Sequence, residues 1–139
     1  MIRYVIDASS VGPLVLPDEA ENLLPTVFEA LTEEQCLAPA HWRFEVGNLG
    51  LMAVRRQRTD LQTVLANLRD LANFVVETDL QSSDLAWTAS IQLAQRHGLT
   101  LYDAAYLELT QRHALMLLSA DRRLIDAALR EGLTVNPTL

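Results

Sequence analysis

The chain contains no lysine; all 11 of its basic Lys/Arg positions are arginine. That absence excludes the GxxxxGK[ST] phosphate loop, whose lysine reaches the phosphates. It excludes Schiff-base chemistry. It also weighs against phospho-acceptor folds that pair a strand-end aspartate with an essential lysine. Cysteine is nearly absent too. Cys36 alone can form no internal disulfide and no multi-cysteine zinc site. With Leu37, Ala38 and Pro39 after it and no cation nearby, it reads as a buried structural thiol. No apolar run approaches the ~20 residues that span a bilayer. Arg3 leads straight into Tyr4-Val5-Ile6-Asp7 without the features of a leader peptide, so a cytoplasmic location is the default expectation. There is no GxSxG elbow, HExxH pair or GxGxxG loop.

Acid is what the chain has in excess. Its 18 Asp and Glu residues give a net charge of −7. Between Tyr4 and Trp42 there is no arginine, while Asp7, Asp18, Glu19, Glu21, Glu29, Glu33 and Glu34 all fall there. Such a balance disfavours general nucleic-acid binding. A nucleic-acid contact would be local and metal-assisted, or would rest on the cluster Arg55, Arg56 and Arg58. The acidic segment could equally face a basic protein partner.

The length of 139 residues suits one domain, residues 1–139. Residues 2–6 read as a buried strand, followed by a short helix that Ser9 or Ser10 caps and that ends near Leu16. Asp18 to Leu31 reads as helical, with Pro25 in a first turn. Residues 35–38 form a candidate second strand. Pro39 opens a helix whose apolar stripe includes Trp42, Val46 and Leu49 and which ends near Arg55 to Arg58. A helix capped by Thr59 or Asp60 runs to about Asn73, and Phe74 to Val76 form a third strand. Ser82-Ser83-Asp84 start a helix that Gly98 ends. A helix from Asp103 to His113, a strand from Ala114 to Leu118, a helix from Asp121 to Arg130 and a strand at Leu133 to Val135 complete the pattern. Apolar strands alternating with helices predict a three-layer α/β/α fold with a central, mainly parallel sheet of four to five strands.

Four acids stand out against that frame. Asp7 ends a strand, where parallel sheets place their ligands. Glu45 shares a helix side with His41, Asn48, Leu49 and Met52, and no arginine stands at i±4 to pair with it. Asp103 and Asp121 open helices, and each can be explained as a cap or first-turn acid. Glu108 and Asp126 lie off those faces, and Glu108 reads as solvated. If the four converge, mutual repulsion favours a bound cation. An oxygen-only set suits Mg²⁺ or Mn²⁺.

The motifs around these acids resemble the PIN-domain family. Val5-Ile6-Asp7-Ala8-Ser9-Ser10 is similar to its opening. Pro39 followed by Glu45-Val46-Gly47-Asn48 is similar to its second motif. Leu101-Tyr102-Asp103-Ala104-Ala105 is similar to its third, and Ser119-Ala120-Asp121 to its fourth, with serine where many members have threonine. The subgroup most resembled is the VapC-type toxins of toxin–antitoxin pairs.

The resemblance implies a Mg²⁺- or Mn²⁺-dependent endoribonuclease that is a homodimer and is inhibited by a cognate VapB-like antitoxin. Asp7, Glu45, Asp103 and Asp121 would be its metal-binding and catalytic carboxylates. Ser9, Asn48 and Ser119 would support them by hydrogen bonds, and Arg55, Arg56 and Arg58 would be left to hold RNA. The segment Pro13 to Leu31 is a candidate part of the antitoxin groove. Two other classes stay open from the sequence: a non-catalytic RNA- or protein-binding domain, and a metal-dependent phosphatase or DNA nuclease using the same site.

Overall fold

A computed structural model describes residues 1–137. Four strands form one parallel sheet: β1 (Tyr4–Ile6), β2 (Cys36–Pro39), β3 (Val76–Asp79) and β4 (Met116–Leu118), in the order β3-β2-β1-β4. Each strand is only three or four residues long. The inner pair and β4 are apolar because helices cover both faces, as a parallel sheet requires. Val5, Ile6, Leu117 and Leu118 are wholly inaccessible to solvent.

Among the described residues seven α-helices surround the sheet: α1 (Ala8–Val15), α2 (Pro25–Thr32), α3 (Trp42–Arg55), α4 (Leu61–Leu71), α5 (Ile91–His97), α6 (Leu101–His113) and α7 (Arg122–Arg130). α6 packs across β1, β2 and β4, while α1, α3 and α4 pack on one another. The result is the three-layer α/β/α architecture expected from the sequence. The chain moves outward from β1 through β2 to β3, then returns to add β4 on the other side of β1. The carboxyl ends of β1 and β4 therefore flank a topological switch point, where open α/β sheets form their ligand crevice.

Several boundaries differ from the sequence reading. The helix expected over 18–31 breaks in two. Pro17–Asn22 forms 3-10 turns, Leu24 is extended at ψ 134°, and Pro25 opens α2. The residue before a proline is driven out of the helical region, so the chain must restart there. Asp7, not Ser9 or Ser10, caps α1. Pro39 ends β2 rather than opening α3. β3 lies two residues further along than expected. The helix expected from Ser82 begins as turns and a π-helical segment, Ala86–Ser90, and becomes regular only at Ile91. Ser82 instead donates to Asp79 (2.6 Å). The last predicted strand is reduced to one bridge, Leu117 to Val135. Glu108, expected in solvent, is buried: Arg112 one turn on pairs with it (2.8 Å) and with Asp79 (2.7 Å). Cys36 is buried as expected, and burial pushes its thiol up to about 12.

Candidate metal centre

Asp7 follows the last residue of β1. Its backbone N–H still donates to Leu118 of β4 (3.1 Å), so the sheet holds it before the chain turns into α1. The side chain is 4% exposed. It accepts from the hydroxyl of Ser9 (2.8 Å), the hydroxyl of Ser119 (2.8 Å) and the N–H of Ser10 (3.2 Å). The same two hydroxyls accept in turn from the loop after β4: Ser9 from Ala120 N–H (2.9 Å) and Ser119 from Asp121 N–H (3.0 Å). Ser9 and Ser119 thus splice the two strand ends together across the switch point. Asn136 adds a clamp, accepting from Ser119 N–H (3.0 Å) and donating to Ser119 O (2.7 Å).

The other three acids arrive on helices. Asp121 caps α7, accepting from Arg123 N–H (3.0 Å). Asp103 lies in the first turn of α6, where the Thr100 hydroxyl accepts from its N–H (3.1 Å). Glu45 lies in the first turn of α3 and accepts from the Tyr106 hydroxyl of α6. His41 Nε2 is 3.7 Å from the same carboxylate.

The charge of Asp121 reaches each of the other three carboxylates, and that of Asp103 reaches Glu45. Burial pushes Asp7 up to about 6, and Asp121 adds repulsion, against the lowering effect of Ser119, Ser9 and Ser10. Glu45 is raised by burial, with Asp103 and Asp121 adding to it and Tyr106 and His41 opposing. Asp103 is raised by burial and then by Asp121, against Thr100, Arg123 and His41. In each case desolvation of the charged form leads and like charge adds to it. This is an unbalanced negative site, and its donors are all oxygen. That chemistry fits a hard divalent cation. The rotamers do not form a closed cage: among the described residues no three His, Cys, Asp or Glu side chains are arranged to hold an ion. Asp7 is turned to its serines, Glu45 to Tyr106 and Asp121 to its helix.

The remaining candidates divide. Ser9 and Ser119 stand beside Asp7. Asn48 is exposed, one turn after Glu45 on α3. The arginine cluster is elsewhere. Arg55 is ten residues beyond Glu45, about 15 Å along the helix axis. Arg58 is taken by Asp18 and Glu19, each at 2.9 Å. Three residues at the site escaped the sequence reading: Tyr106, Arg123 and Asn136. The spacing of Tyr106 from Asp103, i to i+3 on one helix, was the available signal. A cavity of about 270 Å³ lies between the β2–β3 edge and α3–α4, lined by Trp42, Val46, Leu68 and Phe74 among others. None of the four acids borders it.

A parallel three-layer sheet with acids near its switch point is what the resemblance to PIN domains implies, and comparison with known proteins agrees on the fold. No family model matches the chain. It is similar to Ribonuclease VapC3 of Pyrobaculum aerophilum, with 28% identity over 125 residues, spanning 90% of this chain and 94% of that protein. Its fold matches the crystal structure of PAE2754 from Pyrobaculum aerophilum, with a TM-score of 0.68 and 22% identity, over 96% of this chain and 90% of that one. It also matches Mycobacterium tuberculosis VapC20, a sarcin-ricin loop cleaving toxin, with a TM-score of 0.61 and 15% identity, over 89% and 94%. The resemblance to PIN-domain proteins of VapC type is thereby borne out.

Proposed function

We propose that the protein is a Mg²⁺- or Mn²⁺-dependent endoribonuclease, a toxin restrained by a cognate VapB-like antitoxin and active in the cytoplasm as a homodimer of the single domain 1–139. The observation that carries this reading is the gathering of Asp7, Glu45, Asp103 and Asp121 at the sheet's switch point. Three of them are held above their ordinary pKa. The similarity to a named ribonuclease over nearly the whole chain supports the choice of RNA over other phosphodiesters.

The four carboxylates would hold the cation, which when bound supplies charge stabilisation for the attacked phosphate and a more acidic water. Ser9 and Ser119 aim Asp7 by donating to its two oxygens. Tyr106 fixes Glu45 by donating to Oε1. Glu45 or Asp103, each raised by burial, would accept the proton of an attacking water. Arg123, at the start of α7 and close enough to lower Asp103, is the arginine best placed to meet substrate phosphate. It supports this role better than Arg55, Arg56 or Arg58.

The partner surfaces have support of a simpler kind. Leu24, which precedes α2, and Phe28 on it are 40% and 48% exposed, within the segment expected to receive an apolar antitoxin helix. Leu80 and Trp87, between β3 and α5, are both more than four-fifths exposed and offer an apolar surface for self-association. Among the described residues no helix is long and apolar enough to cross a membrane.

The test is cleavage of a mixed RNA pool by purified protein in Mg²⁺ or Mn²⁺ against EDTA, beside Asp7→Asn. Metal-dependent cutting that Asp7→Asn lacks supports the reading. A folded, antitoxin-free protein that cuts nothing turns it toward a non-catalytic binding domain.

A further inference from the structure

An exposed aromatic ring stands next to the acid cluster, and the chemistry above gives it no part. Tyr102 immediately precedes Asp103 in the first turn of α6 and is 64% exposed. It is not a loose side chain on a fraying end. The Thr100 cap fixes the turn. His41 Nε2 donates to the Tyr102 carbonyl oxygen (3.1 Å). The His41 ring meets the Tyr102 ring edge to face, with centroids 5.4 Å apart at 67°. His41 meets Tyr106 in the same way, 5.2 Å at 75°. Tyr106 in turn donates to Glu45. A chain of three ring contacts therefore links solvent-exposed Tyr102 to the carboxylate of Glu45, and its outer member is open.

We propose that Tyr102 is the stacking platform for an unpaired nucleobase of the RNA, flanking the phosphate that lies at the acid cluster, and so sets which phosphate enters the site. The inference rests on the ribonuclease reading and names the residue that positions the substrate. Without a bound cation the acidic rim repels phosphate and Arg123 alone stands beside it to offset this, so a neutral part of the substrate has to add grip. A base presents a π face to an aromatic ring whatever its sequence, and only an unstacked base can do so. In a duplex that face is occupied by the neighbouring base pairs. Tyr102 is held at a set distance from Glu45 by the ring contacts, so a base stacked on it would set the register of the phosphate entering the site. A pre-positioned ring loses little freedom on binding.

The experiment uses an oligoribonucleotide carrying the fluorescent base 2-aminopurine, single-stranded or annealed to its complement. Wild type, Tyr102→Leu and Tyr102→Phe are compared. Binding is read in EDTA as quenching of the fluorescent base, and kcat/KM is read separately in Mg²⁺. Wild type is expected to quench the single strand and not the duplex. Tyr102→Leu, which keeps apolar bulk without a ring, is expected to lose the quench and to bind roughly 5- to 150-fold more weakly. Tyr102→Phe is expected to restore both, a rescue that a role for the phenol or for mere folding would not give. A wild type that cuts RNA while Tyr102→Leu binds and quenches equally overturns the inference and leaves the ribonuclease reading standing. Unchanged RNA binding with loss of dimer formation would overturn it in favour of a protein-facing ring. A wild type that neither binds nor cuts RNA overturns both.

Discussion

The phenol of Tyr106 donates to Oε1 of Glu45, joining α6 to α3 across the mouth of the site. The tyrosine is 1% exposed, and burial holds its hydroxyl in the neutral, donating form. The bond also lowers the proton affinity of a carboxylate that burial otherwise raises. Glu45 is therefore both aimed and kept more nearly ionised by one neighbour. Tyr106→Phe keeps the ring and its contact with His41 but removes the donor. Groups that orient metal ligands typically cost about 10- to 100-fold in metal affinity or activity when removed. Cleavage assayed across a Mn²⁺ titration is expected to fall within that range, with a higher metal requirement. Wild-type behaviour at every Mn²⁺ concentration would show that Glu45 needs no such partner.

Asp103 illustrates the conflict between stability and function that such a cluster creates. Burial and the charge of Asp121 both raise its proton affinity. Removing its charge should relieve the metal-free protein and weaken its hold on a cation. Asp103→Asn is expected to melt at or above the wild-type temperature in EDTA, to gain less on adding Mn²⁺, and to lose cleavage. Thermal denaturation with and without Mn²⁺ decides it. An Asp103→Asn protein with full cleavage and a full Mn²⁺ stabilisation would remove Asp103 from the site.

The layers and the sheet were legible because apolar strands alternate with helix patterns, and that alternation has few packed solutions. The placement of Asp7 was legible for the same reason, since it ends β1. What was not legible depends on side chains from distant segments. Glu108 looked solvated because nothing in its own helix pattern showed that Asp79 would share Arg112 with it. Arg58 looked free to meet RNA because Asp18 and Glu19 lie about 40 residues away. Asn136 carries no motif, and its clamp on Ser119 exists only once Val135 bridges to Leu117. The acids themselves read as caps or as ligands with equal ease, and Asp7 and Asp121 do cap their helices.

Gly50 governs how closely α3, the helix that carries Glu45, meets α4. A Cβ at Gly50 would lie 2.4 Å from Cγ1 of Val64 and 3.4 Å from Val15. Alanine normally stabilises a helix interior by about 0.5–1 kcal/mol over glycine. Here the contact is with a β-branched side chain that has little freedom to turn away. Overpacking of this kind costs typically about 1–3 kcal/mol. Gly50→Ala is expected to destabilise by about 1–2 kcal/mol in urea denaturation. Adding Val64→Ala should recover part of the loss, although Val64→Ala alone is also destabilising. A Gly50→Ala protein more stable than wild type would mean that α3 and α4 separate freely.

Glu131 makes the clearest pH-dependent contribution to the fold. It follows α7 and accepts from Arg96 (2.9 Å), from His97 (2.6 Å) on α5 and from Gln111 (2.8 Å) on α6. Arg96 and His97 lead in pulling its carboxyl from 4.5 down to about 2. The folded protein thus holds this proton less tightly than the unfolded chain. The stability it contributes is fully present above pH 4.5 and is lost as pH falls toward about 2. Glu131→Gln removes the titration while keeping an acceptor oxygen. The stability difference between wild type and Glu131→Gln should be largest near pH 6 and shrink steadily as the pH falls below 4.5. Urea denaturation of both proteins at pH 6, 4.5 and 3 measures it, because other carboxylates titrate alike in the two and cancel. A difference that stays constant across that range would mean that the arginine and histidine contacts are screened by solvent to the point of contributing nothing.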